Sequence, residues 1–174
     1  MKFVDEALIT IQSGDGGNGC VSFRREKYTP KGGPDGGDGG RGGQVVFETT
    51  SRTNTLYRFN LKKHFKAQRG AHGRGKNQSG KNGKDLVIEV PPGTLIRDAE
   101  SGRIMKDFVH SGESFIAAQG GRGGLGNQHF ASARSRAPRH AQKGESGQTV
   151  TLKLELKLLA DVGIIGLPNA GKST

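Results

Sequence analysis

The sequence predicts a mainly β protein in which glycine-rich extended segments replace part of the usual hydrophobic core. Three observations carry this. The chain of 174 residues holds 30 glycines, whereas only 31% of residues are hydrophobic and tryptophan is absent. The glycines keep a register of three: Gly14 and Gly17 with Gly16 and Gly19, then Gly33, Gly36, Gly39 and Gly42, then Gly37, Gly40 and Gly43, then Gly120, Gly123 and Gly126 with Gly121 and Gly124. Between these runs lie short alternations of apolar and polar residues, and nothing before Lys157 shows a helical period of good length.

A repeat of three matches one turn of a polyproline II helix, and glycine along one edge removes the Cβ that would hold neighbouring chains apart. The runs are too short for collagen, and there are only 6 prolines. A flexible linker would mix glycine with serine and keep no register. The expectation is a set of left-handed extended segments of one chain, lying side by side and pairing their backbone groups.

The strands follow in order. Residues 4–11 form the opening strand and 44–48 the next. Residues 86–90 form a third, stopped by Pro91-Pro92-Gly93. Residues 94–97, 103–106 and 114–117 are shorter candidates, with turns at 98–102 and 110–113 between them. Residues 149–157 alternate strictly, placing Val150, Leu152, Leu154 and Leu156 on one face of a half-buried strand. The sum is a barrel or a sandwich from which the glycine segments project.

A net charge of +11 and a pI near 10.1 point to a polyanionic partner. No Asp or Glu occurs from Thr49 to Lys84 or from Gln119 to Lys143, although both stretches carry many Lys and Arg. A merely solvated surface would intersperse both signs. The single Cys20 excludes an internal disulfide framework and fits a reducing compartment. No apolar run approaches a membrane span, and residues 1–6 lack the apolar segment of a signal peptide, so a cytoplasmic location is expected.

One motif carries nucleotide chemistry. Gly166, Leu167, Pro168, Asn169, Ala170, Gly171, Lys172, Ser173 and Thr174 contain a complete G-x-x-x-x-G-K-[ST] phosphate loop. The glycines permit the tight turn, Lys172 reaches the outer phosphates, and the Ser173 hydroxyl is placed to ligate Mg²⁺. Residues 158–165, apolar apart from Asp161, read as the buried strand that must feed such a loop. A second Mg²⁺-binding carboxylate, switch segments and a base-reading loop do not follow, so these residues alone are expected not to hydrolyse nucleotide. They also do not separate ATP from GTP.

No other constellation suggests catalysis. His64, His72, His110, His129 and His140 are scattered without metal-ligand spacing. Asp15, Asp35 and Asp38 sit among glycines and read as turn and capping residues rather than a Ca²⁺ loop. Cys20 reads as a small buried residue.

The segments 14–27, 30–40 and 123–127, and residues 159–163 through Lys172, closely resemble the Obg family of bacterial GTPases in composition and order. The resemblance implies an Obg domain over 1–159, with glycine-rich polyproline II helices on an eight-stranded β-barrel, and the start of an α/β GTP-binding domain over 160–174. It implies binding of GTP and GDP, slow Mg²⁺-dependent GTP hydrolysis by the whole protein, and a monomeric cytoplasmic protein. It further implies action in assembly of the large ribosomal subunit, in cell-cycle control, and in stress responses through guanosine tetraphosphate. The family's loop tips dock on ribosomal RNA, and the matching tips here are 24–34, 69–84 and 130–143. They hold Arg24, Arg25, Lys27, Lys31, Arg74, Lys76, Lys81, Lys84, Arg134, Arg136, Arg139 and Lys143, which overlap the basic stretches read independently. Tyr28 and His140 are candidates for stacking on an unpaired base. The alternative is a glycine/arginine-rich RNA-binding module with no nucleotide switch, for which Arg41-Gly42-Gly43 and Arg122-Gly123-Gly124 are the only matching triplets.

Overall fold

A computed structural model describes residues 6–27 and 32–157. Its strands are β1 (Glu6–Gln12), β2 (Val45–Thr49), β3 (His64–Lys66), β4 (Leu86–Val90), β5 (Thr94–Asp98), β6 (Ile104–Asp107), β7 (Ser114–Ala118) and β8 (Thr149–Leu156). A short helix α1 (Tyr57–Leu61) and a 3₁₀ turn (Asn127–Phe130) complete the regular structure.

The eight-stranded barrel is corrected. Among the described residues the strands form a 5-stranded sheet ordered β3-β1-β8-β5-β6 and a 3-stranded sheet ordered β4-β2-β7. Among the described residues no ladder joins the two: β2 spends both edges on β4 and β7, and the outer strands β3 and β6 have no partner strand on their far sides. The sheets instead share one apolar core. Ile9, Ile11, Ile96, Leu152 and Leu154 face inward from the larger sheet, and Val45, Phe47, Ile88 and Val90 from the smaller. Leu56, Phe59 and Phe108 close it from the connections. Alternation produces this directly, since a period of two sends every second side chain to one face.

β8 keeps the expected inward set, with Leu152 and Leu154 fully buried. On its outer face Lys153 pairs with Glu6 and Glu155, each at 3.0 Å, and Arg97 Nε reaches Glu155 at 3.3 Å. β3 and α1 have no counterpart in the sequence reading. β3 is three residues long, and its ladder to β1 is parallel, matching Thr10 with His64 and Gln12 with Lys66. α1 is held by packing of Phe59 rather than by a capping side chain.

The turn before β7 has its own electrostatic lock. Glu113 accepts the backbone N–H groups of Val109 (3.0 Å) and His110 (2.7 Å) and pairs with Lys106 at 2.6 Å. The Lys106 bond, with those two N–H groups behind it, drives the Glu113 carboxyl down to about 2. A depressed carboxyl stabilises the fold above its unfolded value, and the contribution is lost as pH falls through the folded one. The melting temperature of Glu113→Gln should therefore lie below that of the parent at pH 6. The gap should close between about pH 4.3 and pH 2, the window between the ordinary and the shifted carboxyl. A gap of constant size down to pH 2, followed by thermal melts, refutes the lock.

Candidate functional site

Away from the sheets, the chain builds a bundle from segments 13–20, 35–43, 68–74, 78–85, 119–126 and 142–148. Its contacts repeat every third residue. Gly14, Gly17 and Cys20 donate their N–H groups to the carbonyls of Gly43, Gly40 and Gly37 at 2.8–3.0 Å. Gly37, Gly40 and Gly43 donate in turn to Arg74, Ala71 and Gln68. Gly39 and Gly42 donate to Gly124 and Gly121, and Gly121 and Gly124 to Gly14 and Gly17. Gly16 and Gly19 donate to Glu145 and Gln142, while Gly80 and Gly83 donate to Asp38 and Arg41. Segments 13–20 and 35–43 thus form the centre and the others flank them.

Only glycine permits such spacing. A Cβ on Gly16 would lie 1.9 Å from the Arg122 carbonyl oxygen, and one on Gly42 would lie 1.9 Å from that of Gly14. Gly70 and Gly73, Gly80 and Gly83, and Gly144 and Gly147 share the same period and the same close approach, and the sequence reading passed over them. Each is a single pair, too short to stand out as a run. Gly33, in contrast, keeps the register in the sequence, yet a Cβ there would meet nothing within 4 Å.

Of the acids among the glycines, Asp15 and Asp38 are cross-links rather than turn caps, whereas Asp35 caps the turn at 75–77. Asp15 Oδ1 accepts the Gly147 N–H (2.8 Å), Asp38 Oδ1 that of Gly126 (2.7 Å), and Asp35 Oδ2 that of Lys76 (3.1 Å). Asn18 and Asn82 do the same for Gly144 and Arg41. Short side-chain oxygens thus take N–H groups that the three-residue register leaves without a carbonyl.

Chain direction sets the two ends. Every segment joins the sheets at one end: 13 follows β1, 43 precedes β2, 68 follows β3, 85 precedes β4, 119 follows β7 and 148 precedes β8. Residues 21–27, 32–34, 75–77 and 127–141, the described parts of the connections, therefore gather at the other end. The 75–77 turn is tight: Arg74 and Gln78 form a bridge, and Lys76 and Asn77 take φ of 60° and 56°.

Asn127, fully buried, ties the tip together. Its Oδ1 accepts the Gly36 N–H (2.9 Å), and its Nδ2 donates to the carbonyls of Ser22 (3.0 Å) and Pro138 (3.1 Å). His129 Nε2 lies 3.0 Å from Asp38 Oδ2, and the Phe130 and His140 rings stand 4.7 Å apart.

Of the basic residues singled out in the sequence, Arg24, Arg25, Arg74 and Lys76 line one tip cavity of about 460 Å³, with Phe23, Glu26 and Asp35 in its wall. Arg24 is not a free cation: Glu26 clamps it bidentately at 2.9 and 3.0 Å. The Glu26 bond, its charge and more weakly that of Asp35 raise the guanidinium above its ordinary value. Arg134, Arg136 and Arg139 are exposed on the neighbouring connection, and Lys143 is exposed where that connection enters the bundle. Lys81 and Lys84 do not reach the tip. They lie exposed along segment 78–85, and the Lys84 N–H meets Gln68 Oε1 (3.1 Å) at the sheet end. Lys27 closes the described part of its loop. Lys31, Tyr28 and the phosphate-loop residues Gly166 to Thr174 lie outside the described residues.

Among the described residues no cluster of His, Cys, Asp and Glu could hold a metal ion, and no helix is long and apolar enough to cross a membrane.

Comparison with known proteins adds a family. A family model described as GTP1/OBG matches residues 4–158. The chain is 62% identical over 174 residues to "GTPase Obg" of Desulfatibacillum aliphaticivorans, which it covers to 52%. It is 59% identical to the protein of that name from Chlorobaculum parvum, and 57% identical to that from Thermodesulfovibrio yellowstonii, each matched over 100% of this chain and 52% of the relative. The chain thus spans about half the length of the curated relatives it matches.

Proposed function

The chain belongs to the GTP1/OBG family, and from that premise we propose that residues 1–159 are the ribosome-docking domain of a GTP-hydrolysing protein, with a GTP-binding domain starting at residue 160. In this reading the glycine segments are polyproline II helices that act as a stiff shaft, supported by Gly126 at φ −71° and ψ 165°. The observation that carries the docking role is the collection of exposed cations at the one end of the shaft that bears no sheet. Lys and Arg there would neutralise phosphates of large-subunit ribosomal RNA, giving affinity without base reading.

Gly166 to Thr174 would wrap the phosphates of GTP or GDP. Lys172 would face the outer phosphates and Ser173 would supply a hard oxygen suited to Mg²⁺. When bound, that ion neutralises charge on the phosphoryl oxygens. The family's name favours guanine nucleotide, which the loop residues themselves leave open. The alternative of a disordered glycine/arginine-rich module has less support, because the glycines bond to one another in register. A cytoplasmic monomer acting in large-subunit assembly and stress responses, through guanosine tetraphosphate, completes the proposal.

Sedimentation with purified large ribosomal subunits tests it. Binding should weaken as salt rises, and replacing Arg134, Arg136 and Arg139 together with glutamine should flatten the log–log salt slope by about 2, given ~0.7–0.9 per phosphate contact. An unchanged slope removes this connection from the interface, and no sedimentation at low salt removes the docking role.

A further inference from the structure

The tip cavity has an anatomy that phosphate contact alone does not need. Asp35 is 7% exposed, and its two oxygens differ. Oδ2 accepts the Lys76 N–H at 3.1 Å, whereas Oδ1 is buried with no hydrogen-bond partner. A buried carboxylate oxygen without a donor is costly and rare, and it marks a place where a donor belongs. Asp35 lines the cavity together with Phe23 and the cations Arg24, Arg25, Arg74 and Lys76. The rim pair of Arg24 and Glu26 is solvent-exposed, and the hydrogen bonds of the two side chains run to each other. At about 460 Å³ the cavity falls within the roughly 300–1,000 Å³ typical of small-molecule sites.

We propose that this cavity receives one unpaired nucleotide of an RNA strand whose base carries an exocyclic amino group. The amino N–H donates to Asp35 Oδ1, the base stacks on Phe23, and the adjoining phosphates meet Arg25, Arg74 and Lys76. Carboxylates accept from the cytosine amino group in this way, and aromatic rings stack any base. Uracil is disfavoured because its only ring N–H is flanked by two carbonyls, which the carboxylate repels. This inference rests on the reading of the tip as an RNA-docking end and adds base discrimination to it.

Fluorescence anisotropy with labelled oligocytidylate and oligouridylate hexamers tests it on the whole chain. The C hexamer should bind about tenfold tighter than the U hexamer, the order of effect of one hydrogen bond to a charged group. Asp35→Asn keeps an acceptor for the Lys76 N–H and turns an amide donor to the cavity, so the preference should vanish or invert toward uracil. Phe23→Leu should weaken both hexamers while leaving their ratio unchanged, which keeps the test valid if Asp35→Asn melts early. Equal affinity for the two hexamers, discrimination that survives Asp35→Asn, or no hexamer binding overturns the inference. Large-subunit sedimentation, measured alongside, then still decides the docking role separately. Free CMP binding as tightly as the hexamer would assign the cavity to a soluble nucleotide and overturn the RNA assignment.

Discussion

Gly42→Ala should collapse the centre of the bundle, lowering the melting temperature by about 10 °C. One methyl group would stand 1.9 Å from the Gly14 carbonyl oxygen and 2.4 Å from its carbon, both backbone atoms with no side chain to swing away. Relief requires segments 13–20 and 35–43 to separate. That stretches the Gly14 to Gly43 bond (2.9 Å) and the Gly42 to Gly121 bond (2.9 Å) together. Overpacking costs about 1–3 kcal/mol in apolar cores. An overlap with fixed backbone belongs at or above the top of that range, and about 3 kcal/mol corresponds to ~10 °C for a chain of this size. Gly33→Ala is the matched control, because nothing lies within 4 Å of a Cβ there. Equal melting of the two variants in a calorimeter removes close packing as the reason for glycine.

Asn127→Ala should be the most damaging change at the tip. The side chain is fully buried, and its loss leaves the Gly36 N–H and the Pro138 carbonyl without their partner, and the Ser22 carbonyl with the Asp35 N–H alone. Each orphaned buried group costs about 1–3 kcal/mol, less whatever water recovers. A total loss of ~3 kcal/mol is expected, concentrated around Ser22, Gly36 and the 127–141 connection. Asn127→Asp should fail similarly, since a carboxylate accepts from Gly36 but cannot donate to two carbonyls. Hydrogen exchange locates the effect: protection should fall at Gly36 and in the 127–141 connection, while β1 and β8 keep theirs. Uniform loss across the sheets would show that Asn127 supports the whole fold rather than the tip.

The legible parts of this molecule are those with a period. Alternation placed β4 over 86–90 and put Leu152 and Leu154 in the core, and the register of three singled out the central segments. What escaped depends on partners remote in sequence. β3 is a strand only because residues 64–66 meet β1, and the barrel gave way to two sheets because no local signal says which edges stay apart. The basic stretch 69–84 looked like one tip because charge was its visible feature. Gly70, Gly73, Gly80 and Gly83 show that most of it belongs to the bundle, leaving 75–77 as the turn. Asn127 is visible in the sequence only as the end of the 123–127 motif: a single amide among glycines acquires its role when Ser22, Gly36 and Pro138 converge on it.

Cooling should treat the two halves of this chain differently. The sheets are joined by apolar side chains, whose release on unfolding raises heat capacity and whose grip slackens toward low temperature. The glycine array releases peptide groups instead, and hydration of those lowers heat capacity. Its stability curve should be flatter, so in the cold the slender, core-less half keeps its shape relatively better than the sandwich from which it grows.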